Sequence, residues 1–123
     1  MRQGDQVIMT NQPGFDRNQR LATGDYELVR NLGRLLRAHP DWGRVRIDAH
    51  TDSKGREKQQ LARTQTRAEA VVRILVIEGV DVRRLSIRAQ GARVPIDNNR
   101  TKAGRARNNR IEITLVDPTP AQP

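Results

Sequence analysis

Asp52 and Arg67 are the residues of this chain whose types and spacing best suit chemistry. The stretch Ala49-His50-Thr51-Asp52-Ser53-Lys54-Gly55 puts an acid just beyond an alternating segment, Val45-Arg46-Ile47-Asp48-Ala49. Fifteen residues after that acid, Thr64-Gln65-Thr66-Arg67-Ala68 puts an arginine near the start of a long amphipathic segment. A strand end and a helix N-terminus that pack together hold one carboxylate and one guanidinium in a common groove. Such a groove suits a ligand with both an amine and a carboxylate, because the arginine fork binds two carboxylate oxygens at once. The helix N-terminus adds a field favourable to that anion.

This is a binding constellation rather than a catalytic one. His50, Asp52 and Ser53 lie within four residues, whereas the members of a hydrolytic triad converge from separate elements. The sequence has no Gly-x-Ser-x-Gly elbow and no His-x-x-x-His or carboxylate cluster suited to zinc. No enzyme, metal or cofactor is expected. On the residues alone, Asp52 also reads as a turn cap, and Arg67 as a surface arginine covering apolar neighbours with its stem. Thr51 reads equally as a ligand contact or a loop support, and His50 reads as structural.

The elements that must position these residues follow from periodicity. Val45, Ile47 and Ala49 alternate, which predicts a strand over Arg44–His50. A polar loop runs from Thr51 to Arg56, and a second helix is expected over Glu57–Glu78. Ala68, Val71, Val72, Leu75 and Val76 form its buried stripe, broadened by Ile74 and Ile77. Gly79 is a natural residue to end it, with Val80 folding back onto the last turn. Upstream, a helix capped by Thr23 or Asp25 carries Tyr26, Val29, Leu32, Leu35 and Leu36 on one face. Gly33 weakens that helix by about 1 kcal/mol relative to alanine, and His39-Pro40 stops it. Downstream come a strand with Leu85, Ile87 and Ala89, a long loop from Gln90 to Thr101, and a short helix over Lys102–Arg107. The last strand is Arg110–Val116. Gln6–Thr10 suits a short first strand, and Asn11-Gln12-Pro13-Gly14 reads as a turn.

The order βαβαβ(α)β predicts an α/β (α+β) two-layer sandwich, a mixed four-stranded sheet with helices packed on one face. Alternating strands suit a sheet whose other face is exposed. Residues 1–22 form a weakly defined N-terminal segment, 23–116 the domain proper, and 117–123 a flexible Pro-rich tail.

Composition narrows the partners. The 123 residues amount to one domain with a core of Val, Ile, Leu and Ala, since Phe15, Tyr26 and Trp42 are the only aromatics. Lys+Arg number 23 against 14 Asp+Glu, a net charge of +9 that favours an anionic partner: nucleic acid, an acidic wall polymer or an anionic membrane surface. Arg100, Lys102, Arg105, Arg107 and Arg110 lie close together, so a basic nucleic-acid-binding module is the rival reading. Scarce aromatics argue against a stacking platform for single strands, and no specific nucleic acid is expected. A protein-interaction module is a third reading. The chain has no cysteine, which excludes disulfides and thiolate metal sites. No apolar run approaches ~20 residues, so no membrane span is expected. Met1-Arg2-Gln3-Gly4 is not followed by the apolar stretch of a signal peptide. The sequence therefore reads as cytosolic, or as a domain of a longer exported protein.

Two motifs together carry a family resemblance. The first is the strand ending in His50-Thr51-Asp52, then Gly55, then Arg67-Ala68-x-x-Val71. The second is Gly91, Pro95-Ile96-x-Asn98, then Gly104-Arg105-Ala106-x-Asn108-x-Arg110-Ile111-Glu112-Ile113. Over residues 44–116 the chain resembles the OmpA-like C-terminal domain. That family includes peptidoglycan-associated lipoproteins and the periplasmic part of flagellar stator proteins. The resemblance implies a non-catalytic, periplasmic domain that grips the diaminopimelate residue of a peptidoglycan stem peptide. It would anchor an outer-membrane or other envelope protein to the cell wall. It places Asp52 on the ligand's amine and Arg67 on its carboxylate. Thr51, Gln60, Thr64, Asn109 and Arg110 complete the implied ligand-binding set. It also admits a homodimer, which occurs in parts of the family.

Three positions depart from the family pattern. Ala49 stands where glycine usually precedes the histidine. Gln60 stands where an asparagine helps hold the ligand, and Asn109 replaces the first arginine of an Asn-Arg-Arg motif. That arginine often adds a ligand contact; Arg63, Arg105 and Arg107 are the cations available to take its place.

Overall fold

The computed structural model describes residues 5–12, 14–15 and 20–116. The expected tail at 117–123 and Pro13 of the expected turn lie outside the described residues. The elements in chain order are β1 (Gln6–Asn11), α1 (Thr23–Ala38), β2 (Arg44–His50), α2 (Glu57–Ile77), β3 (Leu85–Gly91), α3 (Lys102–Asn108) and β4 (Arg110–Val116). Single turns of 3-10 helix at Pro40–Trp42 and Val82–Arg84 lead into β2 and β3. The sheet order is β1-β4-β2-β3. β2 and β3 are parallel, as a helical crossover requires, whereas β4 runs antiparallel to both β1 and β2. The four-stranded mixed sheet with α1 and α2 on one face is the architecture expected from the periodicity.

The core lies between that face and the two helices. Val45, Ile47 and Ala49 of β2 and Ile111, Ile113 and Leu115 of β4 meet Val29 and Leu36 of α1 and Val71 and Leu75 of α2. Tyr26 and Leu35, expected on the buried stripe of α1, are 37% and 46% exposed. The buried face is instead Val29, Leu32, Gly33 and Leu36. Gly33 explains the rotation, because a Cβ there would stand 2.9 Å from Glu78 Cβ. Its missing side chain lets the end of α2 approach α1 closely. Glu78 then accepts bonds from Arg30 Nε at 3.3 Å and Arg34 Nε at 3.1 Å across the helix pair. Neither expected cap is used: Ala22 precedes α1 without a side-chain cap, and Asp25 Oδ2 accepts from Gly14 N at 2.9 Å.

On α2 the buried residues are Thr64, Ala68, Val71, Ile74 and Leu75, while Val76 and Ile77 are exposed. The helix closes as expected. Gly79 takes φ +101°, Gly79 N donates to Val76 O at 3.0 Å, and Val80 N donates to Leu75 O at 3.0 Å. This is the paired-bond glycine ending that satisfies the last carbonyls. The stretch from the end of α1 to the start of β2 is braced by a side chain. The Arg84 guanidinium donates to Leu36 O at 2.7 Å, Gly43 O at 2.8 Å and His39 O at 3.1 Å.

The second sheet face is polar but not open over the central strands, contrary to the expectation of an exposed face. Asp48, His50, Arg110 and Thr114 are between 2% and 4% exposed. Asp48 accepts from Arg46 Nε at 2.9 Å and from Arg88 Nε at 2.7 Å, and the arginine stems cover the sheet around it.

Candidate functional site

At the C-terminal end of β2 the chain leaves the sheet at Thr51, whose N–H donates to Gly91 O at 2.9 Å. Gly91 is itself held from α2: its N–H donates to Thr64 Oγ1 at 3.1 Å. Its φ of +59° and the nearby Leu61 side chain, 3.1 Å from where a Cβ would sit, both favour glycine there. The fully buried Thr64 hydroxyl thus ties the start of α2 to the end of β3, and β3 to the loop that carries the acid. Ala49, where the family has glycine, is fully buried in the core.

The loop after Thr51 is shaped by its own polar groups. Asp52 Oδ1 accepts from Lys54 N at 3.0 Å, the local side-chain turn that aspartate favours. Gly55 takes φ +83°. Gln60 Nε2 donates to Ser53 O at 3.1 Å and Gly55 O at 2.8 Å, so its longer amide stem holds the loop from within α2.

Phe15, Thr51, Asp52, Lys54, Arg63, Arg67 and Asn109 line a cleft of about 360 Å³. Asn109 is its hub. Its Nδ2 donates to Asp52 Oδ2 at 2.8 Å and to Arg105 O at 2.9 Å. Its Oδ1 accepts from Arg67 Nη1 at 3.1 Å and Thr51 Oγ1 at 2.8 Å. One neutral amide therefore touches both the anion and the cation, fixing their separation. Arg63 donates from Nε at 3.1 Å and Nη2 at 3.0 Å to Thr51 Oγ1, and from Nη2 to Lys54 O at 3.0 Å. Its Nη2 stands 3.8 Å from Asp52 Oδ1. The Arg67 guanidinium lies over the Phe15 ring, 4.9 Å from its centroid, a cation–π arrangement that fixes its plane.

The charges suit an ion-pairing site. Burial raises the Asp52 carboxyl, but the bonds from Asn109 and Lys54 N and the nearby Arg63 outweigh it and hold the group below its usual 3.8. Burial, with Arg63 adding to it and Asp52 opposing, brings Arg67 down to about 10. Both groups are therefore charged at neutral pH.

Of the seven residues named from sequence, Thr51, Asp52, Arg67 and Asn109 come together in the cleft. Gln60 and Thr64 stand behind it as supports. Arg110 faces the other side of the sheet, donating to Glu112 Oε2 at 3.0 Å and Val94 O at 3.0 Å. Phe15, Lys54 and Arg63 complete the lining. Phe15 carried no sequence signal beyond being a rare aromatic, and Lys54 stood inside the first motif without a role. His50 is 4% exposed, and its Nε2 is 3.5 Å from Glu112 Oε1, on the sheet face away from the core.

Part of the basic run near the C-terminus serves the fold. Asn108, fully buried, accepts from Ile96 N at 2.7 Å and Asp97 N at 3.0 Å, and donates to Asp97 O at 2.9 Å and Asn99 Oδ1 at 2.8 Å. Arg105 Nη1 donates to Asn99 O at 3.0 Å, and Arg107 pairs with Asp97. Arg110, 2% exposed, donates to Val94 O, so Arg105, Arg107 and Arg110 brace the loop before α3, while Arg100, Lys102 and Arg107 stay exposed. Among the described residues, no cluster of metal-ligating side chains occurs, and no helix is long and apolar enough to cross a membrane.

The OmpA family model matches residues 15–109, a span that includes every residue lining the cleft. Probable lipoprotein YiaD of Escherichia coli (strain K12) is 32% identical over 117 residues, covering 93% of this chain and 53% of that protein. Peptidoglycan-binding protein ArfA of Mycobacterium tuberculosis (strain ATCC 25618 / H37Rv) is 36% identical over 95 residues, covering 77% of this chain and 29% of that protein. The chain thus spans about half the length of the first relative and under a third of the second. The crystal structure of the peptidoglycan-associated lipoprotein from Burkholderia pseudomallei matches with a TM-score of 0.73 at 25% identity, covering 90% of this chain and 88% of that one. By the extent of the matched span and the agreement in fold, this chain belongs to the OmpA family.

Proposed function

We propose that this domain binds peptidoglycan noncovalently through the diaminopimelate residue of the stem peptide. In doing so it anchors an envelope protein to the cell wall from the periplasm, and it transforms nothing. The observation that carries this reading is the Asn109 amide holding Asp52 and Arg67 in one cleft. The end of a diaminopimelate side chain is an amine and a carboxylate on one carbon, so it needs one anion and one cation at a fixed spacing. Asp52 receives the ammonium. Arg67 receives the carboxylate, its plane set by Phe15. Asn109 holds the two charged groups, Thr51 Oγ1 holds Asn109, and both offer polar contacts of their own. The relatives' names point the same way: one is a peptidoglycan-binding protein and another a peptidoglycan-associated lipoprotein.

Each charge-assisted hydrogen bond contributes about 1.5–3 kcal/mol, so a single site binds modestly. A wall presenting many stem peptides holds an array of such domains by avidity. The test is a titration of the isotopically labelled chain with a diaminopimelate stem tetrapeptide, followed by amide chemical shifts. Shifts concentrated at Thr51, Asp52, Arg67 and Asn109 are expected, and a lysine-type tetrapeptide, lacking the side-chain carboxylate, should move them less. Shifts confined to another surface, or equal responses to the two peptides, would refute the reading.

A further inference from the structure

The cleft carries more positive charge than one amine-plus-carboxylate ligand needs. Among the described residues that line it, Asp52 is the one carboxylate, beside Lys54, Arg63 and Arg67. An ammonium on Asp52 and a carboxylate on Arg67 leave Lys54 and Arg63 as two further lining cations that share the single described carboxylate. In a partly enclosed site such surplus charges interact more strongly than in bulk water.

Arg63 is the better fixed of the two. Its Nε and Nη2 are held by Thr51 Oγ1 and Lys54 O, its side chain is 23% exposed, and its Nη1 has no hydrogen-bond partner among the described residues. Its ion pair with Asp52 is a loose one at 3.8 Å, without a hydrogen bond, because the Asp52 oxygens accept from Asn109 and Lys54 N. A guanidinium pinned along one edge in a cleft, with donors left over, is preorganised for an oxygen anion. Arg105 and Arg107, the other cations near Asn109 in sequence, are tied to the loop before α3 and do not line the cleft.

We infer that Arg63 is a second anion-binding residue, and that the cleft selects stem peptides with a free carboxylate besides that of diaminopimelate. This rests on the function proposed above and narrows its ligand. A stem peptide offers such a carboxylate at its D-glutamate residue or at its C-terminus, and conversion to an amide removes the charge while keeping the shape.

The test is calorimetric titration of the full chain with three diaminopimelate tetrapeptides: the free acid, the D-isoglutamine form and the C-terminal amide. Wild type should bind one of the two amidated peptides about tenfold or more weakly than the free acid, and which one identifies the carboxylate. Arg63→Gln should bring that ratio close to one, whereas Arg63→Lys should keep part of it, since the charge remains without the fork. A loosened 51–56 loop would weaken all three peptides alike and leave the ratio unchanged. Equal affinity of wild type for all three peptides, or a full ratio in Arg63→Gln, would overturn the inference and leave stem-peptide binding standing. Failure of wild type to bind any of them would overturn both.

Discussion

Asn109 sets the separation of Asp52 and Arg67, and its effects are measurable on both. Asn109→Ala should weaken wall binding by about tenfold, through loss of hydrogen bonds to two charged groups. It should also raise the Asp52 carboxyl, because the Asn109 bond leads the influences that lower it; carboxyl-carbon NMR titration checks this. The same shift fixes the pH dependence of binding. Asp52 is held below its usual 3.8, so its charged form persists on acidification. Affinity for an amine should therefore stay level down to about pH 5 and fall only as the Asp52 carboxyl takes up its proton. A loss of affinity already complete at pH 6 would place the amine on some other group. At this scale the meeting of Asp52 and Arg67 in one cleft was legible from type and spacing, but the expected place of Arg67 near a helix start was not met: it stands in the middle of α2 (Glu57–Ile77), beyond the first turn where the helix N-terminus favours an anion. Gln60 and Thr64 were not legible, since their amide and hydroxyl turn toward backbone groups that only folding brings near. Arg63 was one of three cations named as available beside Asn109, and only the fold, through α2, tells it from Arg105 and Arg107 by setting it beside Thr51.

Among the elements, the joints between helices and sheet carry the predictions. Arg84 supplies three hydrogen bonds to carbonyls between the last turn of α1 and the start of β2. Arg84→Ala should destabilise the domain by about 1–3 kcal/mol in urea unfolding, since three charge-assisted hydrogen bonds are lost while Leu36 O and His39 O keep only the backbone donors His39 N and Trp42 N. Gly33→Ala should also destabilise, by about 1–2 kcal/mol, although alanine is the better helix former. Its Cβ would press on Glu78, 2.9 Å away. If Gly33→Ala stabilises instead, the close approach of α1 and α2 is wrong. The bounds of β2 and β4 were readable because a period of two leaves little ambiguity. The buried face of α1 was misjudged at Tyr26 and Leu35 because helical spacing defines a stripe but not which flank meets a neighbour. Gly33, read from sequence as a weakness, is the residue that decides it.

Over the whole molecule, the polar face of the sheet was the least legible feature. Alternation said that Arg46, Asp48 and His50 point away from the core. It did not say that Arg88, brought alongside by the parallel register of β2 and β3, would close over Asp48. His50 is buried on that face, and burial together with Arg110 lowers it from its usual 6.5, against the opposing pull of Glu112 and Asp48. The unfolded chain thus takes up this proton more readily than the folded one. Stability should decline as pH falls below 6.5 toward the folded value, and His50→Gln should flatten that decline. Urea unfolding at about pH 7.5 and pH 5.5 reads it directly. An unchanged slope in His50→Gln would assign the acid sensitivity to other groups.

The central claim is that one cleft, built on Asp52 and Arg67, holds the domain to the wall. Its most direct test is co-sedimentation with purified diaminopimelate-type sacculi, comparing wild type, Asp52→Ala and Arg67→Ala, each first checked for folding by circular dichroism. Retention of wild type in the pellet and release of both folded variants is the expected result. Equal retention of all three, or no retention of wild type, would contradict the account.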